Sequence, residues 1–100
     1  MPKTKPLFVF TAKLFSYSVE ATSWFFVETN ATVAAEMKSQ ARSVKAFGSI
    51  PVQVTVGQTT WRTSLFPTKQ KTYVLPIKAI VRRKEDIREG DRIKIMLELI

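Results

Sequence analysis

Acid–base chemistry in this chain would have to run on carboxylates, lysine or tyrosine, because its 100 residues include neither His nor Cys. The same absence excludes a disulfide scaffold, a Cys/His zinc site, a thiolate nucleophile and any triad with an imidazole base. Of the eight acids, Glu85, Asp86, Glu89 and Asp91 cluster around Gly90, with Arg82, Arg83, Lys84, Arg88 and Arg92 interleaved. Such mixing describes a self-neutralising, solvated surface. Asp86, Glu89 and Asp91 offer oxygens to a hard cation, but without the spacing of an EF-hand loop. Ser64 would need a lysine as its base, and the ordinary role of a serine at a strand end is a backbone hydrogen bond. No Gly-rich phosphate loop, G-x-S-x-G elbow or dinucleotide fingerprint is present. The expectation is a non-enzyme with no catalytic residue, no metal and no cofactor.

The basic residues are the stronger candidates. Sixteen Lys and Arg against eight Asp and Glu give a formal charge of +8. Lys78, Arg82, Arg83 and Lys84 form the densest local excess. Arg82 would bring a bidentate fork and Lys78 a point charge for a phosphate or carboxylate. Trp61 and Tyr73 are planar surfaces for a stacked ring, and Arg62 adjoins Trp61. The candidate binding surface is therefore Trp61, Arg62, Lys78, Arg82 and Arg83. An anionic small molecule or an acidic protein surface would suit it. Single-stranded nucleic acid is a weaker alternative, because neither a basic stripe nor an RNP1-type motif is visible. The bland account of these cations is that they decorate exposed strand faces and protect edges.

The elements that must position these residues are mostly strands. Ten Val, seven Ile and eleven Thr suit pleated, half-buried surfaces. Leu7–Ser16 alternates with Phe8, Phe10, Ala12 and Leu14 on one side. Ser23–Glu28 is a second strand, in which Trp24 reads as a core or barrel-end plug. Thr29 or Asn30 can cap a helix over Ala31–Gln40, with Val33, Ala34, Met37 and Ala41 on its apolar stripe. Asn30-Ala-Thr32 matches a glycosylation sequon, read as accidental in a chain without a secretory leader. Ser43–Ile50 reads as a strand. Val52–Val56 and Thr60–Phe66 flank a Gly57-Gln58 hairpin turn. Tyr73–Val81 is predicted as a strand interrupted by Pro76, and Arg82–Arg88 as one helical turn. Arg92–Leu99 has the cleanest alternation in the chain.

Six or seven short strands and one helix, without linker or repeat, predict one all-β domain over residues 1–100. The preferred architecture is a small closed six- to seven-stranded β-barrel with the helix covering one end, since closure removes exposed edges. No apolar run approaches the roughly 18 residues of a membrane span. The apolar run after Met1–Lys5 is too short for a signal segment. A soluble, cytoplasmic chain without membrane partners is expected.

Gly48-Ser-Ile-Pro-Val52, Val56-Gly57, Thr60-Trp-Arg-Thr-Ser-Leu-Phe-Pro67, Tyr73-Val-Leu-Pro-Ile-Lys78, Val81-Arg82 and Gly90-Asp91 follow one another in this order. Together they resemble the small bacterial family called domain of unknown function 1905, which also occurs fused to a YdeI-type, OmpD-associated module. Trp24-Phe-Phe-Val27 and the following helix resemble the family's aromatic strand and helix. The departures fall in turns. The family's Gly before the Tyr strand is replaced by Thr68–Thr72, and its helix-starting Pro by Thr29-Asn30. The resemblance implies a compact β-barrel with a helix and assigns no activity. Function is thus expected to be a non-catalytic binding module. The alternative is a structural accessory domain for a fused or adjacent partner, betrayed by an exposed apolar patch or self-association.

Overall fold

The computed structural model describes residues 7–41 and 44–100; the charged Met1–Lys5 segment and Ser43 lie outside them. The chain forms β1 (Leu7–Lys13), β2 (Phe15–Val19), β3 (Thr22–Glu28), α1 (Ala31–Gln40), a 3-10 turn (Ala46–Gly48), β4 (Ile50–Val56), β5 (Thr59–Pro67), β6 (Tyr73–Pro76), α2 (Ala79–Lys84) and β7 (Arg92–Leu99). Seven antiparallel strands make one sheet in the order β1-β7-β4-β5-β6-β3-β2.

Strict alternation decides which side of each strand is inside. Ile93, Ile95, Leu97 and Leu99 of β7 are buried, as are Ile50, Val52, Val54 and Val56 of β4 and Phe8, Phe10 and Ala12 of β1. The registers bring them together: Phe10 faces Ile95, Leu97 lies between Phe8 and Val54, and Val52 faces Leu99. α1 adds Ala34 and Met37 to this core. It begins where Asn30 Oδ1 accepts a hydrogen bond from the Val33 amide at 2.8 Å, so the asparagine of the sequon serves as a helix cap.

The sheet does not close, which corrects the expectation of a sealed barrel. It is an open half-barrel whose two edges, β1 and β2, are consecutive pieces of one bent strand. The bend is at Leu14, whose side chain is buried. Its amide donates to Asp91 O at 2.9 Å, and its carbonyl accepts from the Gly90 amide at 2.8 Å. These bonds end the ladder with β7 at the Lys13–Arg92 pair, and the next residues pair with β3 instead. One strand thereby serves both margins of the sheet without a ladder between them.

Three further expectations change. Residues 44–49 are not a strand: Phe47 and Gly48 have φ of +60° and +75°, and Ser49 Oγ donates to Ala46 O. Tyr73–Val81 stops at Pro76, which has no amide to extend a ladder, and α2 starts at Ala79 rather than at Arg82. Trp24 is not a plug. Val27 points fully inward, so the pleat sends Phe25 inward and Trp24 outward, where it is 47% exposed.

Candidate functional site

The five residues singled out by sequence do not converge. Trp61 and Arg62 are neighbours on β5 and point to opposite faces. Trp61 faces Val54 and packs against the core, its buried indole N–H without a hydrogen-bond partner among the described residues. Arg62 faces Gln53 on the outer surface and is exposed. Arg82 is committed to the fold. Its guanidinium carbon sits 3.7 Å from the centroid of the Phe25 ring, and its Nε donates to Ile77 O at 3.3 Å. Lys78 precedes α2 and Arg83 lies on it, both exposed. The Gly90-Asp91 motif is a turn: Asp91 accepts from the Arg88 amide at 2.9 Å, and Gly90 has φ +93°.

A groove of about 770 Å³ lies elsewhere, between α1 and the β5–β6 connection. Its volume is in the range of small-molecule sites. Ala31, Ala34 and Ala35 with Pro67 give it an apolar floor, because helix positions i, i+3 and i+4 share a face. Lys38 and Ser39 continue that helix face one turn on. Thr68, Lys71, Thr72 and Tyr73 line the opposite wall.

The loop wall is held by its own hydroxyls. The Thr72 hydroxyl donates to Glu28 Oε2 at 2.5 Å, so in the 2.6 Å contact between the Thr68 and Thr72 hydroxyls it is Thr68 that donates. Thr68 Oγ1 then accepts from the amides of Gln70 and Thr72 at 3.2 and 3.3 Å. Lys71 has φ +63°, the left-handed conformation that a glycine would adopt without cost. Next to it, the Tyr73 amide donates to Thr29 Oγ1 at 3.0 Å, and its carbonyl accepts from the Thr29 amide at 2.9 Å.

No carboxylate lines the groove; Glu28, bonded to Thr72, stands behind the wall. Lys38 and Lys71 form no ion pair among the described residues. The arrangement can therefore take an anion with an apolar portion. No cluster of potential metal ligands occurs among the described residues. The sequence pattern places Lys38 on a solvent face and residues 68–71 in a polar connection. The available signals were the small-residue face Ala31/Ala34/Ala35 and the Thr68-x-x-x-Thr72 spacing.

Burial pushes the Tyr73 phenol above its ordinary value. Unfolded tyrosine ionises near about pH 10, while the folded phenol holds its proton to higher pH. Above about pH 10 the unfolded state has therefore lost protons that the native state keeps, and stability falls as pH rises. Tyr73→Phe is expected to flatten that fall, measured as urea midpoints from about pH 9 to 11. An unchanged slope would contradict the burial effect.

Fold and site together define a small antiparallel half-barrel with a groove lined by α1. The chain belongs to the family Domain of unknown function (DUF1905), whose model matches residues 10–97. No functionally curated protein matches it. No helix among the described residues is long and apolar enough to cross a membrane.

Proposed function

We propose that the chain is a non-catalytic binding module of the bacterial cytoplasm that holds a small amphiphilic anion in the groove between α1 and the β5–β6 connection. The observation that carries this reading is a cavity of about 770 Å³ with an alanine floor, two lysines and no lining carboxylate. Lys38 and Lys71 supply the charge, Ser39 and the neutral Tyr73 phenol are polar partners, and the alanines receive the apolar part. Arg82, one of the five residues the sequence offered, is already engaged by Phe25 and Ile77. A non-catalytic role is supported by a chain without His or Cys. A cysteine-free chain also has no need of an oxidising compartment.

Titration with the aryl sulfonate 8-anilinonaphthalene-1-sulfonate, with amide shifts followed by NMR, tests the reading. Saturable binding with shifts centred on Ala35, Gln70 and Thr72 is expected. Lys38→Ala/Lys71→Ala should weaken it by roughly tenfold or more, the scale of lost charge-assisted bonds. Lys78→Ala/Arg83→Ala should leave it unchanged. Shifts centred on Tyr17 and Trp24, or equal weakening by both double variants, would overturn the assignment. A mixed-sequence single-stranded oligonucleotide is expected to show no salt-dependent binding.

A further inference from the structure

Two outer surfaces of the half-barrel, distinct from the groove, are unpartnered and complementary. β3 pairs with β6 only through Phe26–Glu28, so β2 and the first part of β3 project as a two-stranded ribbon. On its outer face the cross-strand pair Tyr17 and Trp24 is 62% and 47% exposed, and Val19 lies beside it. Ser18 and Ser23 bond each other at 2.7 Å on the opposite face. A ribbon of two strands is marginal by itself, and this one shows aromatic rings to water. No Lys or Arg occurs from Leu14 to Met37, in a chain of charge +8. Glu20 stands exposed at the tip with φ +56°, and no ion pair or hydrogen bond engages it among the described residues.

The other end of the sheet has the opposite character. On the outer face Lys13 lies directly across from Arg92, and Lys94 is across from Thr11. Like charges at facing positions repel. None of the three is ion-paired among the described residues, and residues 1–6 and 42–43 contain no acid. Beside these cations, Leu7 and Val9 are 56% and 49% exposed. One surface is aromatic with a carboxylate, and the other is aliphatic with three cations against one acid, Glu98, which lies across from Leu7 at its far end and accepts from Gln53 Nε2 at 3.4 Å.

We propose that the β2–β3 ribbon of one molecule docks on the outer β1–β7 face of a second copy of this chain, with Glu20 set among Lys13, Arg92 and Lys94. The contact is head-to-tail, so it builds rings or open chains. Light scattering over a concentration series tests it. Wild-type mass should grow with concentration at low salt, and association should weaken about tenfold in about 0.5 M NaCl. Glu20→Lys and Lys13→Ala/Arg92→Ala should each abolish the growth while keeping native amide spectra. Mixed one to one, they should form a dimer and nothing larger, because one lacks the ribbon charge and the other the face. Wild-type protein that stays monomeric at all concentrations, or associates equally in both variants, would overturn the proposal. So would a mixture that stays monomeric or grows beyond two.

Discussion

Met37→Ala is expected to lower the free energy of unfolding by about 3 kcal/mol and to remove sulfonate binding with it. Met37 is fully buried and, with Ala34, is one of the two buried residues of the ten-residue α1, beside which Val33 packs partly buried on the same core. A helix of that length is marginal in water without tertiary contacts, so its position depends on this face. Truncation removes three heavy atoms and leaves a void that the surrounding strands can fill only partly. The groove is lined from one side by the same helix, so loosening α1 separates Lys38 from Lys71. Urea unfolding gives the first quantity and fluorescence titration of the still-folded variant the second. A loss under about 1 kcal/mol, or binding at wild-type strength, would show that α1 is held by something other than Met37.

Gly57→Ala is expected to cost about 2–4 kcal/mol, from two separable sources. Gly57 is the first residue of the β4–β5 turn and has φ +58°, where a Cβ is strained. That Cβ would also stand 1.9 Å from Glu85 Oε1. The carboxylate can swing away, but it then gives up the 2.6 Å bond from the Thr59 hydroxyl and the 3.4 Å contact from the Gln58 amide. These bonds tie the turn to the end of α2, 27 residues away in sequence. A double-mutant cycle with Glu85→Ala separates the terms. Without Glu85, Gly57→Ala should cost only the backbone part, about 1 kcal/mol. Equal costs in both backgrounds would mean that Glu85 does not hold the turn.

The strands were legible because their burial is set by period two, a local property. β4 and β7 carry the alternation their sequence shows, with β4 starting two residues earlier at Ile50; β5 runs one residue past each expected end, and α1 matches in extent and cap. Closure was not legible. Whether the first strand continues or bends depends on Gly90 and Asp91 reaching Leu14 from the far end of the chain. Trp24 was misplaced for a related reason: three aromatics in a row carry no alternation, so the face of each depends on Val27 meeting Leu75 across β6.

The five candidate site residues show the same division. Their types were readable, but their burial and directions were not: Trp61 and Arg62 part because they are adjacent on a pleat, and Arg82 is turned onto Phe25 by the packing of α2. By itself, the amino-acid order determined an antiparallel β-rich chain with one capped helix, poor in catalytic groups and strongly basic, because residue type and alternation act over a few neighbours. Only the tertiary structure decided that the sheet stays open, that Lys38 and Lys71 share a groove, and that aromatic and cationic surfaces lie at separate places on its outer side. Each of these depends on contacts between residues tens of positions apart, whose geometry no local pattern encodes.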